Sequence, residues 1–305
     1  MKKIFFIFSL FAFLSVAYAK VEDGFNANLS AGVGLRDIKS NISPLANSDY
    51  LNSYSSDNDD LSFTGFVGIE LSYGGLFGND MIYLKNHNGR NFSGLALGYE
   101  MGQNQFSTSI DFVTSLRESA YANPYLIGNR EEIDVKKYGV KFTQNYYSDI
   151  GDFSGSYLFS IQDYEKDSVP YSSLKREGYY HGFELAYKNK LFNVGVHYDY
   201  NDADGKASSY TRYGFNAGIN LAIQEYILSP NFAYAIQDAS GTDPVFAAKQ
   251  DANIYKIGVR VLKNRLLNYD KLYGFVNYGI EKRNNDINFY DETFQIFLVG
   301  LGYKF

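Results

Sequence analysis

Apolar and polar residues alternate along most of this chain, and the alternation predicts β-strands. In GFNANLSAGVGLR, residues 24–36, every second residue from Phe25 to Leu35 is apolar, and the residues between them are Asn, Ser or Gly. A period of two is typical of a strand that turns one face to an apolar medium and the other to a polar one.

Thirteen further segments repeat the pattern, so the sequence predicts about fourteen strands. They are residues 61–73, 81–87, 92–101, 106–116, 135–146, 153–164, 176–188, 191–200, 208–221, 226–237, 251–262, 271–282 and 293–305. The alternation is weakest around Ile82, and twelve strands would remain if this segment and a neighbour were not strands. The length of most segments suits tilted membrane spans better than the shorter strands of soluble sheets.

The connections alternate in length. Short turns, such as 102–105, 148–152 and 189–190, alternate with long polar loops. The long loops are 36–60, 117–134, 165–175 and 238–250. Bacterial outer-membrane barrels have short periplasmic turns and long external loops. The predicted fold class is therefore all-β, a transmembrane antiparallel up-and-down β-barrel. A secreted β-sandwich or a propeller also alternates, but the strand length and the loop rhythm favour the barrel.

Composition and charge agree with an exported barrel. Residues 1–19 combine Lys2 and Lys3, an apolar run and an Ala-Tyr-Ala cleavage pattern, which predicts a signal peptide cleaved near Ala19 and a single barrel domain over residues 20–305. Cysteine is absent and 18% of the residues are aromatic, so we expect hydrogen-bonded sheet, not disulfides, to hold the fold. The net charge of -6 argues against a nucleic-acid partner.

The period of two also assigns the two faces of the wall. Glycine, serine and asparagine fall mainly on the inward face, which favours a water-filled lumen. The charged residues of that face are of both signs. We take as lumen-lining candidates Lys137, Lys141, Arg212, Lys256, Arg260, Asp111 and Glu184.

Catalytic chemistry has little support in this sequence. The three histidines are His87, His181 and His197, and His181 has lipid-facing parity without a serine two residues away on the same face. A barrel hydrolase would need such a nucleophile beside its base. We therefore predict no enzyme activity, no catalytic residues, no cofactor and no metal site.

Three stretches carry a family resemblance: GFNANLSAGVG near the predicted mature start, ANPYLIGNRE within 117–134, and the terminal LGYKF. Together they resemble a family of uncharacterised proteobacterial outer-membrane barrels, a domain of unknown function. The resemblance covers nearly the whole mature chain. It implies an outer-membrane barrel and supplies no catalytic residues.

The last predicted strand also suggests how the barrel is recognised during assembly. The ending LGYKF resembles the terminal strand that the barrel-assembly machinery recognises, with Tyr303 and Phe305 as the assembly signal. The expected partners are outer-membrane lipid, that machinery and small hydrophilic solutes. We expect a passive porin-like channel; the alternatives are a closed barrel that displays loops 36–60 and 117–134 for adhesion, with Tyr125 and Leu126 exposed, and, more distantly, an outer-membrane hydrolase.

Overall fold

Fourteen antiparallel strands form one closed barrel in the computed structural model, which describes residues 23–55 and 58–305. The strands are Gly24–Lys39 (β1), Asp59–Gly74 (β2), Asp80–Asn88 (β3), Ser93–Gln103 (β4), Phe106–Ser115 (β5), Glu132–Ser148 (β6), Gly151–Tyr164 (β7), Gly178–Lys188 (β8), Phe192–Ala203 (β9), Tyr210–Ile219 (β10), Tyr226–Ala239 (β11), Ala252–Lys263 (β12), Leu272–Asn285 (β13) and Glu292–Lys304 (β14). The predicted fold class and strand number are confirmed, including the weakly alternating third strand.

Short strands and single helical turns accompany the fourteen barrel strands. Glu118–Tyr121 pairs with β6 and Leu221–Ile223 pairs with β11, while Tyr50–Leu51 pairs with Gly128–Asn129 and Thr242–Asp243 with Ala248–Lys249. The helical elements are single 3₁₀ turns at Pro44–Ala46, Ser172–Leu174, Leu266–Asn268 and Asn288–Tyr290. None of the helices in residues 23–55 and 58–305 is long and apolar enough to cross a membrane. The predicted signal peptide lies outside the described residues.

The barrel closes where its last strand meets its first. β14 pairs with β1 from Lys39↔Thr293 to Asn28↔Lys304, and β7 pairs with both β6 and β8 on the far side of the ring. The backbone N–H of Phe305 donates to the C=O of Ala27 at 2.8 Å, so the final residue is itself hydrogen-bonded to the first strand. Closure leaves the terminal strand without a free edge.

Side chains alternate between the outer surface and the lumen as the sequence predicts. On β1 the outward Val33 is 70% exposed, whereas the inward Arg36 is 6% exposed. On β14 the outward row includes Phe297, Leu301 and Tyr303, and the inward Leu298 is buried. An outer band of apolar side chains is what a membrane-spanning strand presents to lipid.

The two ends of the barrel differ, and one connection departs from the pattern. Short turns such as 75–79, 104–105 and 149–150 share the end that carries the chain terminus, which we call periplasmic, and the longer loops share the external end. The connection between β3 and β4 is the exception, because it lies at the external end and spans only residues 89–92.

Candidate functional site: the lumen and its external cap

The turn between β3 and β4 reaches across the lumen. β3, with 9 residues, is the shortest of the fourteen described barrel strands, and β4 has only 11 residues, so their turn starts below the external rim. Arg90 of this turn contacts the opposite wall: its Nη1 lies 2.7 Å from Glu184 Oε2 on β8, and its Nη2 lies 2.9 Å from Asp199 Oδ1 on β9. Arg90 Nε donates to the same Asp199 carboxylate at 3.1 Å, which gives the two-point contact that guanidinium groups make with carboxylates.

Asp199 is the centre of this charge cluster. Its side chain is fully buried, Arg212 Nε on β10 donates to Asp199 Oδ2 at 2.8 Å, and Arg212 Nη2 lies 2.8 Å from the same oxygen. A buried carboxylate needs paired charge and filled hydrogen-bonding positions, and Arg90 and Arg212 together provide both. The wall of the lumen therefore holds the turn by charge.

Apolar packing holds the same turn beside its charged tip. Phe92, 4% exposed, packs with Ala96, Val113, Leu158 and Tyr180 in a buried cluster on the inner wall. Burying a phenylalanine side chain contributes roughly 1.5–3 kcal/mol. The turn is thus fixed by an apolar anchor on its own side of the lumen and by Arg90 on the far side.

The structure places all seven lumen-lining candidates on the inner face, although a role in conduction stays a prediction. Arg212 and Glu184 belong to the Arg90 cluster. Lys137 Nζ lies 2.8 Å from Glu118 Oε2, and Lys256 Nζ lies 2.8 Å from Glu281 Oε2.

The other three candidates lie outside these ion pairs. Asp111 accepts a hydrogen bond from Tyr83, Arg260 lies 5.7 Å from the ring centre of Phe275, and Lys141 lines the cavity beside the turn.

Arg90, whose guanidinium contacts Glu184 and Asp199 across the lumen, is not among the residues predicted from the sequence. One irregularity in the sequence points to it. The alternation of short turns and long loops predicts a long external loop after β3, but only a four-residue turn with Gly89 and Arg90 lies there. The weak alternation around Ile82 belongs to the same hairpin. Around the turn lies a cavity of about 580 Å³ whose lining also includes His87, His197 and Lys141.

Aromatic side chains narrow the lumen towards the periplasmic end. Phe275, Tyr273 and Leu262 form a buried cluster, with Phe66 of β2 packed against it. Glycine makes room for these rings: a Cβ on Gly32 would lie 2.8 Å from the Val299 carbonyl and 3.3 Å from the Phe275 ring. The lumen is therefore polar around Arg90 and partly aromatic below it.

Six external loops pack together over the mouth of the barrel and form what we call the cap. Its buried members are Leu51, Tyr125, Leu174, Ala207, Ile287, Phe289 and Tyr290, with Val245 and Phe246 packed against them. The Tyr125 and Tyr290 hydroxyls are 2.7 Å apart, and burial raises the pKa of both tyrosines. The expectation that Tyr125 is exposed is wrong because this ring fills the cap, whereas Leu126 is 46% exposed as expected.

A buried arginine ties the first two long loops together. Arg130 donates to the carbonyls of Asn41, Ser48 and Pro124, and its guanidinium carbon lies 3.9 Å from the centre of the Tyr121 ring. Burial raises the pKa of Tyr121 to about 12. These contacts join the loop after β1 to the loop after β5 above the shorter β3–β4 hairpin.

None of the histidines forms a nucleophile–base pair among the described residues. His181 faces outward and its Nδ1 lies 2.8 Å from the Tyr157 hydroxyl, while both ring nitrogens of His197 and the Nε2 of His87 lack hydrogen-bond partners in that part of the chain. Within residues 23–55 and 58–305 no group of His, Asp and Glu has the arrangement of a metal site.

Solved structures similar to this chain are outer-membrane barrels. A Pseudomonas aeruginosa FadL homologue aligns over 92% of this chain and 90% of its own, with 10% identity and a TM-score of 0.51. The Vibrio cholerae outer-membrane protein OmpT, as a loop L8 deletion mutant, aligns over 93% and 100%, with 10% identity and a TM-score of 0.45. Pseudomonas aeruginosa OccK7 aligns over 92% and 99%, with 7% identity and a TM-score of 0.43.

At this identity the first of these likenesses shows the fold alone, an outer-membrane type of barrel. No curated protein matches the chain. A family described as "Protein of unknown function (DUF2860)" matches residues 24–304. The match runs from the first barrel strand to the last, in agreement with the resemblance seen in the sequence, and the chain belongs to this DUF2860 family.

Proposed function

We propose that this protein is an outer-membrane channel for small hydrophilic solutes, with the cap as its external gate. The observation that carries the proposal is the lumen around Arg90: a cavity of about 580 Å³ lined by side chains of both charges. A barrel kept only as a structural element could fill its interior with apolar side chains, whereas charged groups around a cavity favour water and polar solutes.

The cap limits how freely solutes enter. Its apolar centre joins loops from around the whole rim, and the Arg90 turn crosses the lumen below it. We therefore expect a low conductance in the capped state and a larger one when the cap is loosened. The candidates Lys137, Lys141, Arg212, Lys256, Arg260, Asp111 and Glu184 then face the permeating solute.

Planar-bilayer recording tests the proposal. The double variant Phe246→Ala/Phe289→Ala removes two packed rings of the cap, whose centroids are 5.2 Å apart. We expect the variant to conduct at least several-fold better than the wild-type protein. Asn288→Ala is the matched control, because Asn288 lies in the same loop and is exposed. Absence of conductance in all three proteins, even after the external loops are trimmed, would refute the channel.

A surface-display role is the second candidate, favoured by apolar side chains on the outside of the cap. Leu126 and Ile127 are 46% and 49% exposed, and Tyr50 is 55% exposed. Exposed apolar patches on loops mark interaction surfaces. Replacing Leu126 and Ile127 by Ser would abolish adhesion and leave conductance unchanged if display is the function; unaltered adhesion excludes it. Neither function requires enzymatic activity.

A further inference from the structure

The barrel wall is incomplete on one side of β2. The register of β2 with β1 runs over the whole strand, from Asp59 to Gly74, but the register of β2 with β3 covers only Glu70–Gly74. Beyond Glu70, towards the external end, the edge of β2 pairs with no other described strand. A lipid-facing strand with one open edge is unusual, because hydrocarbon offers no hydrogen-bond partner to the backbone.

An asparagine side chain marks the point where the two strands separate. Asn86 Oδ1 accepts from the backbone N–H of Ile69 at 2.7 Å, and Asn86 Nδ2 lies 3.5 Å from the carbonyl of Val67. The side-chain amide replaces the next backbone pair. Residues two apart on a strand direct their peptide groups to the same side, so those of Phe63 and Gly65 also point towards this opening.

The β3–β4 hairpin leaves the wall as one unit. β3 and β4 stay paired up to Asn88↔Ser93, so the external part of the hairpin bends inward with both strands intact. Its tip is held in the lumen by Phe92 and Arg90. The opening therefore lies between the outer half of β2 and a hairpin that is fixed inside the barrel.

The loops frame the opening from above. The 3₁₀ turn Pro44–Ala46 contacts β2 and also the segment Glu118–Tyr121, and Arg130 joins the loops that carry these two elements. From below, the opening ends at the pairing of Glu70 with Lys85. Eleven positions of β2, 59–69, have no strand partner on this side among the described residues, and they correspond to about 35 Å along the strand. We call this framed opening the window.

The outer rim of the window is apolar. Phe63 is 89% exposed and Leu61 is 69% exposed, and both have the parity of the lipid-facing row. Irregular or unpaired backbone at membrane depth is tolerated where it lines a cavity. The window thus links the outer half of the bilayer to the lumen.

Behind the window the lumen offers an apolar surface and positive charge. Phe66 points inward from β2, with its ring 5.9 Å from that of Phe275. Lys85, with its Nζ 4.1 Å from the centre of the Tyr83 ring, and Lys141 form no ion pair with a described carboxylate. His87, 7% exposed, has an unpartnered Nε2 in the same region. The two ammonium groups suit an anionic group.

We propose that the window passes amphipathic anions, molecules with an apolar body and one acidic group, between the outer leaflet and the lumen. The apolar body crosses at Leu61, Phe63 and Phe66, and the acidic group binds Lys85 and Lys141. The route goes beyond the proposed channel and needs no ion flow along the barrel axis. Its test is therefore separate from a conductance measurement.

A binding assay can use two residue types that the chain lacks, Trp and Cys. Phe66→Trp places a single tryptophan behind the window, and energy transfer from it reports a bound fluorophore. The probe is 1-anilinonaphthalene-8-sulfonate, and the control probe is N-phenyl-1-naphthylamine, which has the same apolar body without the acidic group. Both are titrated into nanodiscs that hold the barrel, with empty discs as the background.

We expect saturable transfer to the sulfonate probe and a weaker, non-saturating signal from the neutral probe. Lys85→Ala/Lys141→Ala in this background should raise the dissociation constant about tenfold, since each lysine supplies one charged contact. A bulky maleimide on Phe63→Cys should slow binding at least tenfold. The same label on Val196→Cys should not, because Val196 is an exposed outward residue of β9, across the ring from β2.

Hydrogen exchange on the unmodified protein gives a second, independent test. The amides of Phe63 and Gly65 should exchange at least roughly tenfold faster than those of Val33 and Leu35, whose strand is paired on both sides. Equal protection would overturn the window, as would a dimer in which a second copy covers the β2 edge. Transfer that never saturates, or that ignores both the lysine variants and the Phe63 label, would overturn the proposed ligand class.

Discussion

Arg90→Ala is the substitution that best tests how the lumen is organised. Arg90 joins a turn on one wall to Glu184 and Asp199 on the other, across 109 residues of sequence in the case of Asp199. Truncation removes these contacts and leaves the turn held by the apolar anchor at Phe92 and by the hydrogen bonds of Asn91 with Ser160 and Lys137. We expect the turn to swing away from the opposite wall and the lumen to widen.

The cost of the substitution follows from the pairing of Asp199. Removing one partner of a buried ion pair costs roughly 3–5 kcal/mol when the remaining charge is left alone. Asp199 is fully buried but keeps both contacts from Arg212, and Glu184 is partly exposed to the lumen. The expected loss of unfolding free energy is therefore lower, about 2 kcal/mol.

Conductance and denaturation measured on the same variants separate the local effect from the global one. Arg117→Ala is the matched control, since Arg117 is exposed and the substitution removes the same charge near the same cavity. We expect Arg90→Ala to show a higher single-channel conductance and lower stability than Arg117→Ala. Arg90→Lys should be intermediate, because an ammonium cannot make the two-point contact. Equal conductance and stability in Arg90→Ala and Arg117→Ala would refute the role of Arg90.

Three further outcomes are expected. Deleting Phe305 should lower the amount of folded barrel in the outer membrane and leave the conductance of assembled molecules unchanged; equal surface levels would contradict this. Gly300→Val should destabilise the barrel by at least about 2 kcal/mol, because its side chain would meet the Phe275 ring and the Ala31 carbonyl, and urea unfolding measures the difference. Since burial raises the pKa of Tyr290, its folded state holds the proton more tightly, and cap stability should fall once the pH exceeds about 10, the tyrosine value in the unfolded chain, as amide exchange in residues 286–291 would report.

The barrel wall can be predicted from the sequence because alternation is a local property. Each strand can be identified from residues adjacent in the chain, and the parity that turns Phe297 and Tyr303 outward also turns Lys137 and Glu184 inward. Boundaries differed by a few residues: the predicted segment 208–221 became β10 up to Ile219, followed by a break at Asn220. Such differences arise where turn geometry, and not the hydrophobic period, ends the strand.

The cap and the contacts across the lumen could not be predicted from local alternation. Tyr125 follows a proline in a polar loop, which suggests exposure, but loops from the whole rim converge once the barrel has closed, and their combined packing buries its ring. Likewise, nothing next to Arg90 in the chain identifies its partners. Asp199 and Glu184 are opposite it only because fourteen strands set the width of the ring.

Local alternation of residue types is enough to identify a membrane barrel, to say which face of each strand is wet, and to recognise the last strand as part of the wall. The period of two carries that information in any stretch of a few residues. The folded chain is needed to show that the external mouth is capped, that Arg90 crosses the lumen, and that β2 keeps an open edge above Glu70. Those features depend on which strands and loops become neighbours after closure, and a local pattern contains no record of distant neighbours.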